Sequence, residues 1–288
     1  MGRDLFQAYP EARAVFELAD SILDIELRTF CFDGPEDALK QTAITQPAIF
    51  AHSVAAFEVL KALGHTPSMV AGHSVGELAA LVAAGVMSIE DGFRVVCVRG
   101  QAMQTAGKVR QGSMAVIIGL EDEAITELCK SIAKTSQVAP ANFNCPGQVV
   151  ISGEAHAVHL AMETAKDLGA KRVLQLPVSG AFHSVLMKPA VEALSAILDD
   201  VPFSDAQIPV ISNVTTEPTK DSQKLKELLL QQIISPVRWS ESMNVLGRQG
   251  ITRAYEVGPG SVLKGLMRRI NREIPVTEAG TVEAIKSL

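Results

Sequence analysis

Apolar positions recur at helical spacing over residues 11–24, where Ala14, Val15, Leu18 and Ile22 share a face, and again over residues 47–63, a stretch closed by Gly64. Ahead of them, Met1-Gly2-Arg3-Asp4-Leu5 leads straight into helical spacing with no opening strand. Ser68-Met69-Val70-Ala71 is a short apolar run ending at Gly72, and residues 75–84 return to helical spacing up to Gly85. That segment predicts strand, sharp turn and helix. Another helix is predicted from Ser88, with Asp91 as its capping-box partner, to about Ala106.

From residue 113 the rhythm changes to strand 114–118, helix 122–134, strand 138–143, strand 148–152, helix 154–168 and strand 172–177. This order, β-α-β-β-α-β, is the ferredoxin-like split arrangement, with Cys145-Pro146-Gly147 as its central hairpin turn. Alternation of helix and strand then resumes with helix 185–198, strand 210–214, helices 223–233 and 240–248, strand 254–257 and helix 262–271. The expected fold class is therefore α/β. A discontinuous large domain with a mostly parallel sheet, residues 1–110 and 179–288, is interrupted by a small ferredoxin-like domain at 111–178.

A chain of 288 residues lies near the upper end of what one core supports, which suits a large domain plus a small one. With 47% hydrophobic and 20% charged residues it belongs with globular chains rather than disordered ones. The formal net charge of −6 argues against nucleic acid as a partner, because non-specific binding needs positive surface to displace counterions. Cys31, Cys97, Cys129 and Cys145 form no CxxC pair and no Cys/His cluster, so no metal is expected and the thiols read as free. Neither end carries a basic segment followed by an apolar one, and no uninterrupted apolar run is long enough to span a bilayer. A cytoplasmic monomer with no membrane partner is expected.

Gly72-x-Ser74-x-Gly76 between a strand and a helix fits a nucleophile elbow, in which the two glycines relieve crowding and the serine projects from the sheet. The Val75 N–H then points where an oxyanion forms, and the helix N-terminus adds positive potential. A serine needs a base, and six histidines are present. His52, His65, His156 and His159 lie on or just after helices and read as surface or packing residues. His73 adjoins the serine, but neighbouring side chains diverge in an extended turn. His183 lies in Ser179-Gly180-Ala181-Phe182-His183-Ser184, where the chain re-enters the large domain, and clefts between domains collect active sites. A cap for the following helix is the alternative for His183. Arg99 sits in an apolar helix with Met103 one turn on, placed either to clamp a carboxylate through paired hydrogen bonds or to snorkel to solvent.

Taken in order, Gly72-His73-Ser74-Val75-Gly76-Glu77, Arg99-Gly100, Asn142-Phe143-Asn144, Pro146-Gly147-Gln148, Gly180-Ala181-Phe182-His183-Ser184 and Glu256-Val257-Gly258-Pro259-Gly260 resemble the malonyl-CoA:acyl carrier protein transacylases over nearly the whole chain. The resemblance implies an α/β-hydrolase-like large domain with a ferredoxin-like insertion. It implies that Ser74 is the acylated nucleophile, His183 the general base and later acid, and Arg99 the ligand of the malonyl carboxylate. A backbone carbonyl, at the position matching Gln232, orients the histidine. Phe182 matches the variant that crowds a C2 methyl branch, favouring malonyl over methylmalonyl, and Gln46, Met103, Asn142 and Asn144 match pocket positions. No cofactor is implied: CoA enters as a thioester substrate and phosphopantetheine belongs to the carrier protein. The partners implied are malonyl-CoA and acyl carrier protein. An acidic carrier calls for a basic face, for which Lys171, Arg172, Lys188, Arg268 and Arg269 are candidates, unless they are merely solvated. The family opens with a strand and a Gly-Gln-Gly-Ser-Gln loop that supplies a second oxyanion donor, and this chain is expected to start just after it. A serine esterase or lipase on the same elbow, and a truncated carrier-binding remnant, are the other readings.

Overall fold

The computed structural model describes residues 1–178 and 180–288; Ser179, the predicted domain-boundary residue, lies outside them. The chain opens with five helices: α1 Arg3–Ala8, α2 Pro10–Ile22, α3 Leu27–Asp33, α4 Glu36–Leu39 and α5 Thr42–Ala62. Pro10 stands at the first position of α2, where its missing N–H costs nothing and its fixed φ starts the helix. Phe6, Phe16 and Phe32 pack edge-on or tilted with centroids 5.2–6.2 Å apart and tie α1, α2 and α3 together.

Helix α5 starts five residues before the predicted Pro47. The extra turn is held from outside: Thr42 O and Ala43 press against Gly100, where an added Cβ would lie 3.0 Å from Thr42 O, and Gln104 accepts the Ala43 N–H at 3.1 Å. By length and composition α5 is apolar enough to cross a membrane, yet Phe50, Ala51, Val54, Ala55 and Val59 are buried in the main core. Its uniform apolarity is that of a core helix.

Strand β1 Val70–Ala71 enters the elbow and α6 Gly76–Ala83 leaves it, followed by α7 Ile89–Val109. Ser88 caps α7 by accepting the Asp91 N–H at 3.0 Å. The small domain follows as β2 Gly112–Ile118, α8 Asp122–Ile132, β3 Val138–Cys145, β4 Gln148–Glu154, α9 Ala155–Asp167 and β5 Arg172–Gln175. Its sheet has the order β3-β4-β2-β5, antiparallel throughout. Strand alternation puts Ala115, Ile117, Val149 and Ile151 under Ile125, Leu128, Val158 and Ala161 of the two helices. The opposite face presents Met114, Ala141 and Val150 to Phe182 and Val178. The loop carrying His183 is thereby packed on the back of the small sheet.

A short 3-10 turn at Val185–Met187 leads into α10 Lys188–Asp200, then β6 Val210–Ile211, β7 Pro218–Thr219, α11 Ser222–Gln232, α12 Trp239–Arg248, β8 Ala254–Glu256, α13 Val262–Ile270, β9 Val276–Glu278 and α14 Val282–Lys286. β1 pairs parallel with β6 and β8 parallel with β9. The predicted strand 210–214 is cut short, because Thr216 turns at φ 63 and sends β7 back antiparallel to β6. Val70 and Tyr255 belong to the main core while Ala71 and Ala254 belong to another, so both strand pairs are covered by apolar cores on both faces. Residue 237 stitches the domains together: Val237 donates its N–H to Ala141 at 2.8 Å and accepts that of Phe143 at 2.9 Å.

Candidate active site

The elbow forms because β1 stops at Gly72 and α6 starts almost at once. A Cβ on Gly72 would lie 2.0 Å from the Gly76 carbonyl, so that position admits only glycine. Gly76, expected to relieve crowding too, does not: a Cβ there meets nothing within 4 Å, since it opens α6 facing free space. Ser74 is held at φ 52, and such left-handed strain in a non-glycine residue is typical of functional turns. Its own N–H is taken by Asn213 Oδ1 at 2.8 Å, and Asn213 Nδ2 donates to Gly72 O at 2.7 Å. The Val75 N–H has no hydrogen-bond partner among the described residues.

Ser74 Oγ donates to His183 Nε2 at 2.7 Å. His183 is itself strained, at φ 58, and its Nδ1–H donates to Gln232 O at 2.9 Å, which leaves Nε2 as the unprotonated nitrogen. Among the described residues a backbone carbonyl, not a carboxylate, takes the third place. Burial, reinforced by the Arg99 charge, pushes the imidazole from 6.5 down to about 3, so it is neutral in the free protein.

Arg99 is buried, not snorkelling: one turn of α7 faces the elbow, and only 1% of the residue is exposed. Nη2 donates to Gln232 Oε1 at 2.8 Å and to Ser74 Oγ at 3.2 Å, while Nη1 donates to Gln46 Oε1 at 2.5 Å. Its Nε is buried without a partner among the described residues. Burial lowers its pKa to about 10, against the opposing pull of Glu77, and it remains a cation. Gln46 in turn donates to Met103 Sδ at 3.4 Å, and Phe182 lies half-buried between two apolar clusters.

The site also contains two residues, Glu77 and Asn213, that the sequence did not single out for a role. Glu77, on the first turn of α6, is buried, and its Oε2 accepts from Gln232 Nε2 at 2.6 Å and from Asn213 N at 3.2 Å. Burial raises its carboxyl to about 7, opposed by those hydrogen bonds and by Arg99. The available signal was a single acid in an otherwise apolar helix, Gly-Glu-Leu-Ala-Ala-Leu-Val-Ala. His73 turns away from Ser74 as expected, its Nε2–H donating to Asn144 Oδ1 at 2.9 Å and its ring lying 5.4 Å from the Trp239 ring. Asn142 is buried on β3 beside the Val237 bridge. His52 is buried with Nε2 on Gly280 O at 2.7 Å.

Among the predicted basic residues, Lys171, Arg172, Lys188 and Arg268 are exposed, and Arg269 reaches across to Pro146 O at 2.8 Å, tying α13 to the small-domain hairpin. An open groove of about 800 Å³ follows the domain junction past Thr42, Gln104 and Gln175, but Ser74, His183 and Arg99 do not line it.

Comparison with known proteins agrees in each case. Residues 1–285 match the model of the acyl transferase domain. The chain is 43% identical over 293 residues to the malonyl CoA-acyl carrier protein transacylase of Bacillus subtilis, covering 100% of this chain and 92% of that protein. It superposes with TM-score 0.95 on the acyl-carrier-protein-S-malonyltransferase of Bartonella henselae, at 42% identity with 100% and 93% of the two chains covered. The same TM-score, at 40% identity and the same coverage, relates it to a malonyl-transacylase solved with its type II polyketide synthase acyl-carrier protein. A strained serine in hydrogen-bond contact with a neutral histidine and a buried arginine, on a fold shared along the whole chain, places this chain in the acyl transferase domain family.

Proposed function

We propose that this chain is a malonyltransferase that carries the malonyl group of malonyl-CoA to the phosphopantetheine thiol of an acyl carrier protein, through a malonyl ester on Ser74, in fatty-acid or polyketide synthesis. The observation that carries the reading is the Arg99 guanidinium donating to the same Ser74 oxygen that contacts His183. A cation buried beside a nucleophile selects an acyl group that brings its own anion, and an unpaired buried charge strongly disfavours a neutral one.

In the first half-reaction Ser74 gives its proton to His183 Nε2 and attacks the thioester carbonyl, whose oxygen takes its negative charge to the free Val75 N–H. The C–S bond breaks and the CoA sulfur takes the proton from His183. In the second half the carrier thiol gives its proton to His183, its sulfur attacks the ester, and Ser74 leaves with the proton restored. The malonyl carboxylate on Arg99 offsets the positive charge that helps depress His183, so substrate binding makes the base stronger. Gln46, Met103 and Phe182 wall the acyl pocket, and Asn142 and Asn144 border it from β3. Residues 111–178 act as a cover inserted into a body formed by 1–110 and 179–288. The exposed basic side chains Lys171, Arg172, Lys188, Arg268 and Arg269 are candidates for meeting an acidic carrier.

Arg99→Ala tests this. Acylation of Ser74 by malonyl-CoA should fall about a hundredfold while the slow acylation by acetyl-CoA stays as it was, the order expected for losing a charge-assisted pair in a dry pocket. Unchanged malonylation, or fast hydrolysis of neutral esters by the wild type, would contradict it.

A further inference from the structure

Two opposite charges are buried within the site without touching. Glu77 has no cation within ion-pair distance among the described residues, and neither does Arg99 have a carboxylate. The Gln232 side chain lies between them: its Nε2 donates to Glu77 Oε2 at 2.6 Å and to Ser74 O at 3.1 Å, and its Oε1 accepts from Arg99 Nη2 at 2.8 Å. An amide has one acceptor end and one donor end. With an anion on one side and a guanidinium on the other, only one orientation satisfies both. Rotating it by half a turn would set NH₂ against the guanidinium and oxygen against the carboxylate.

The geometry points to Glu77 as a positioning residue for acyl selection: it orients the Gln232 amide, and the amide in turn holds Arg99 against the nucleophile with donors left for the substrate carboxylate. This rests on the reading of Arg99 as the malonyl ligand. Gln46 holds the other side of the guanidinium, so the buried Nε is left for an incoming carboxylate. Direct pairing of Glu77 with Arg99 would have occupied the donors the substrate needs; relaying through an amide neutralises the charge and leaves them open. The same glutamine accepts His183 through its backbone, so the orientation of its side chain is coupled to both halves of the site.

The test separates acceptor, charge and mere structure. Glu77→Leu removes the acceptor, whereas Glu77→Gln keeps it, because the Asn213 N–H and Gln232 Nε2 both require an oxygen where Oε2 lies. Glu77→Leu should lower kcat for malonyl-CoA and acetyl-CoA alike through Gln232. In addition it should cut the malonyl-over-acetyl ratio of kcat/KM about tenfold, the order of one buried hydrogen bond left unmade. Glu77→Gln should restore that ratio to within about threefold.

A second readout uses pH. The titratable groups around Glu77 are Arg99 on α7, His183 in the loop before the 3-10 turn and His73 on the elbow. The arginine stays charged and both imidazoles, lowered by burial, stay neutral near pH 7. As the Glu77 carboxyl ionises at about 7 it offsets the guanidinium, so KM for malonyl-CoA should rise with pH through that range in the wild type and stay flat in Glu77→Gln. If Glu77→Leu does not fold, this comparison decides. An unchanged acyl ratio in Glu77→Leu, an equal loss in Glu77→Gln, or a pH limb that persists in Glu77→Gln would overturn the inference. Arg99→Ala run alongside distinguishes the failures: if it too keeps the malonyl preference, the reading of Arg99 has failed, and if it alone loses that preference, only the role of Glu77 has.

Discussion

The small-domain sheet and the nucleophile elbow are built on different principles within one chain. The sheet keeps its non-glycine residues in ordinary backbone conformations and buries an alternating row, Ala115, Ile117, Val149 and Ile151, against two helices. The elbow and its partner loop hold Ser74 and His183 at positive φ and bury Glu77 and Arg99 among amide side chains. Apolar burial stabilises the first region, while the second spends part of that stability on holding reactive groups in strained, desolvated places. Substitutions should therefore separate cleanly: those at the elbow change rates, and those in the sheet change stability.

The largest effect expected is at His183. His183→Ala should reduce transfer by a thousandfold or more, on the order seen when a member of a serine-histidine unit is removed, and should shift the melting temperature only by the order of one buried hydrogen bond, since alanine keeps the backbone at φ 58 and what is lost is the bond to Gln232 O. Steady-state kinetics with a thermal melt checks both, and a large loss of stability would blur the distinction between the regions. In the sheet, Ile151→Ala should cost roughly 2–5 kcal/mol in denaturant unfolding, as for other buried large-to-small changes, with malonylation per folded molecule unchanged. Lost turnover in folded Ile151→Ala would mean the sheet does more than support the loop.

A smaller effect is expected from pH. His183 takes up a proton near 6.5 when unfolded but only at about 3 when folded, so its contribution is present above 6.5 and is lost as pH falls toward 3. Between pH 7 and pH 5 that amounts to about 2 kcal/mol at 1.36 kcal/mol per unit, with His52 and His73 acting in the same direction. Glu77, whose carboxyl is raised to about 7, acts oppositely over the same range, so the His183 contribution is read as the stability difference between wild type and His183→Ala in urea unfolding, which should shrink by about 2 kcal/mol from pH 7 to pH 5.

The two regions also differed in how far the sequence disclosed them. The small domain was legible strand by strand, including its central hairpin, although β3 runs on through Cys145 to pair with Gln148 and leaves Pro146-Gly147 as the turn, because alternation of period two and turn chemistry are local signals. The strand expected to run to Pro177 ends at Gln175, short of a residue that has no N–H to donate. In the large domain β7 and β9 are only two and three residues long and leave no periodic trace. At the site, Ser74 and His183 stood out through glycine spacing and the domain junction. Arg99 by itself read rather as a solvated side chain, because burial of a cation is set by which helix faces it, not by its neighbours in sequence. Asn213 gave no signal, and Glu77 only that of a lone acid in an apolar helix, because their partners are 139–155 residues away. An acid on a helix reads as a solvent face until the helix is found covered on every side.

The central claim is that Ser74 carries the malonyl group. Intact-mass and peptide mass spectrometry after brief exposure to malonyl-CoA, with no carrier protein present, tests it directly. The account predicts one malonyl adduct on the peptide containing Ser74 in the wild type, discharged when carrier thiol is added, and no adduct in folded Ser74→Ala. An adduct that persists in Ser74→Ala, or a folded wild type that takes up none, would contradict it.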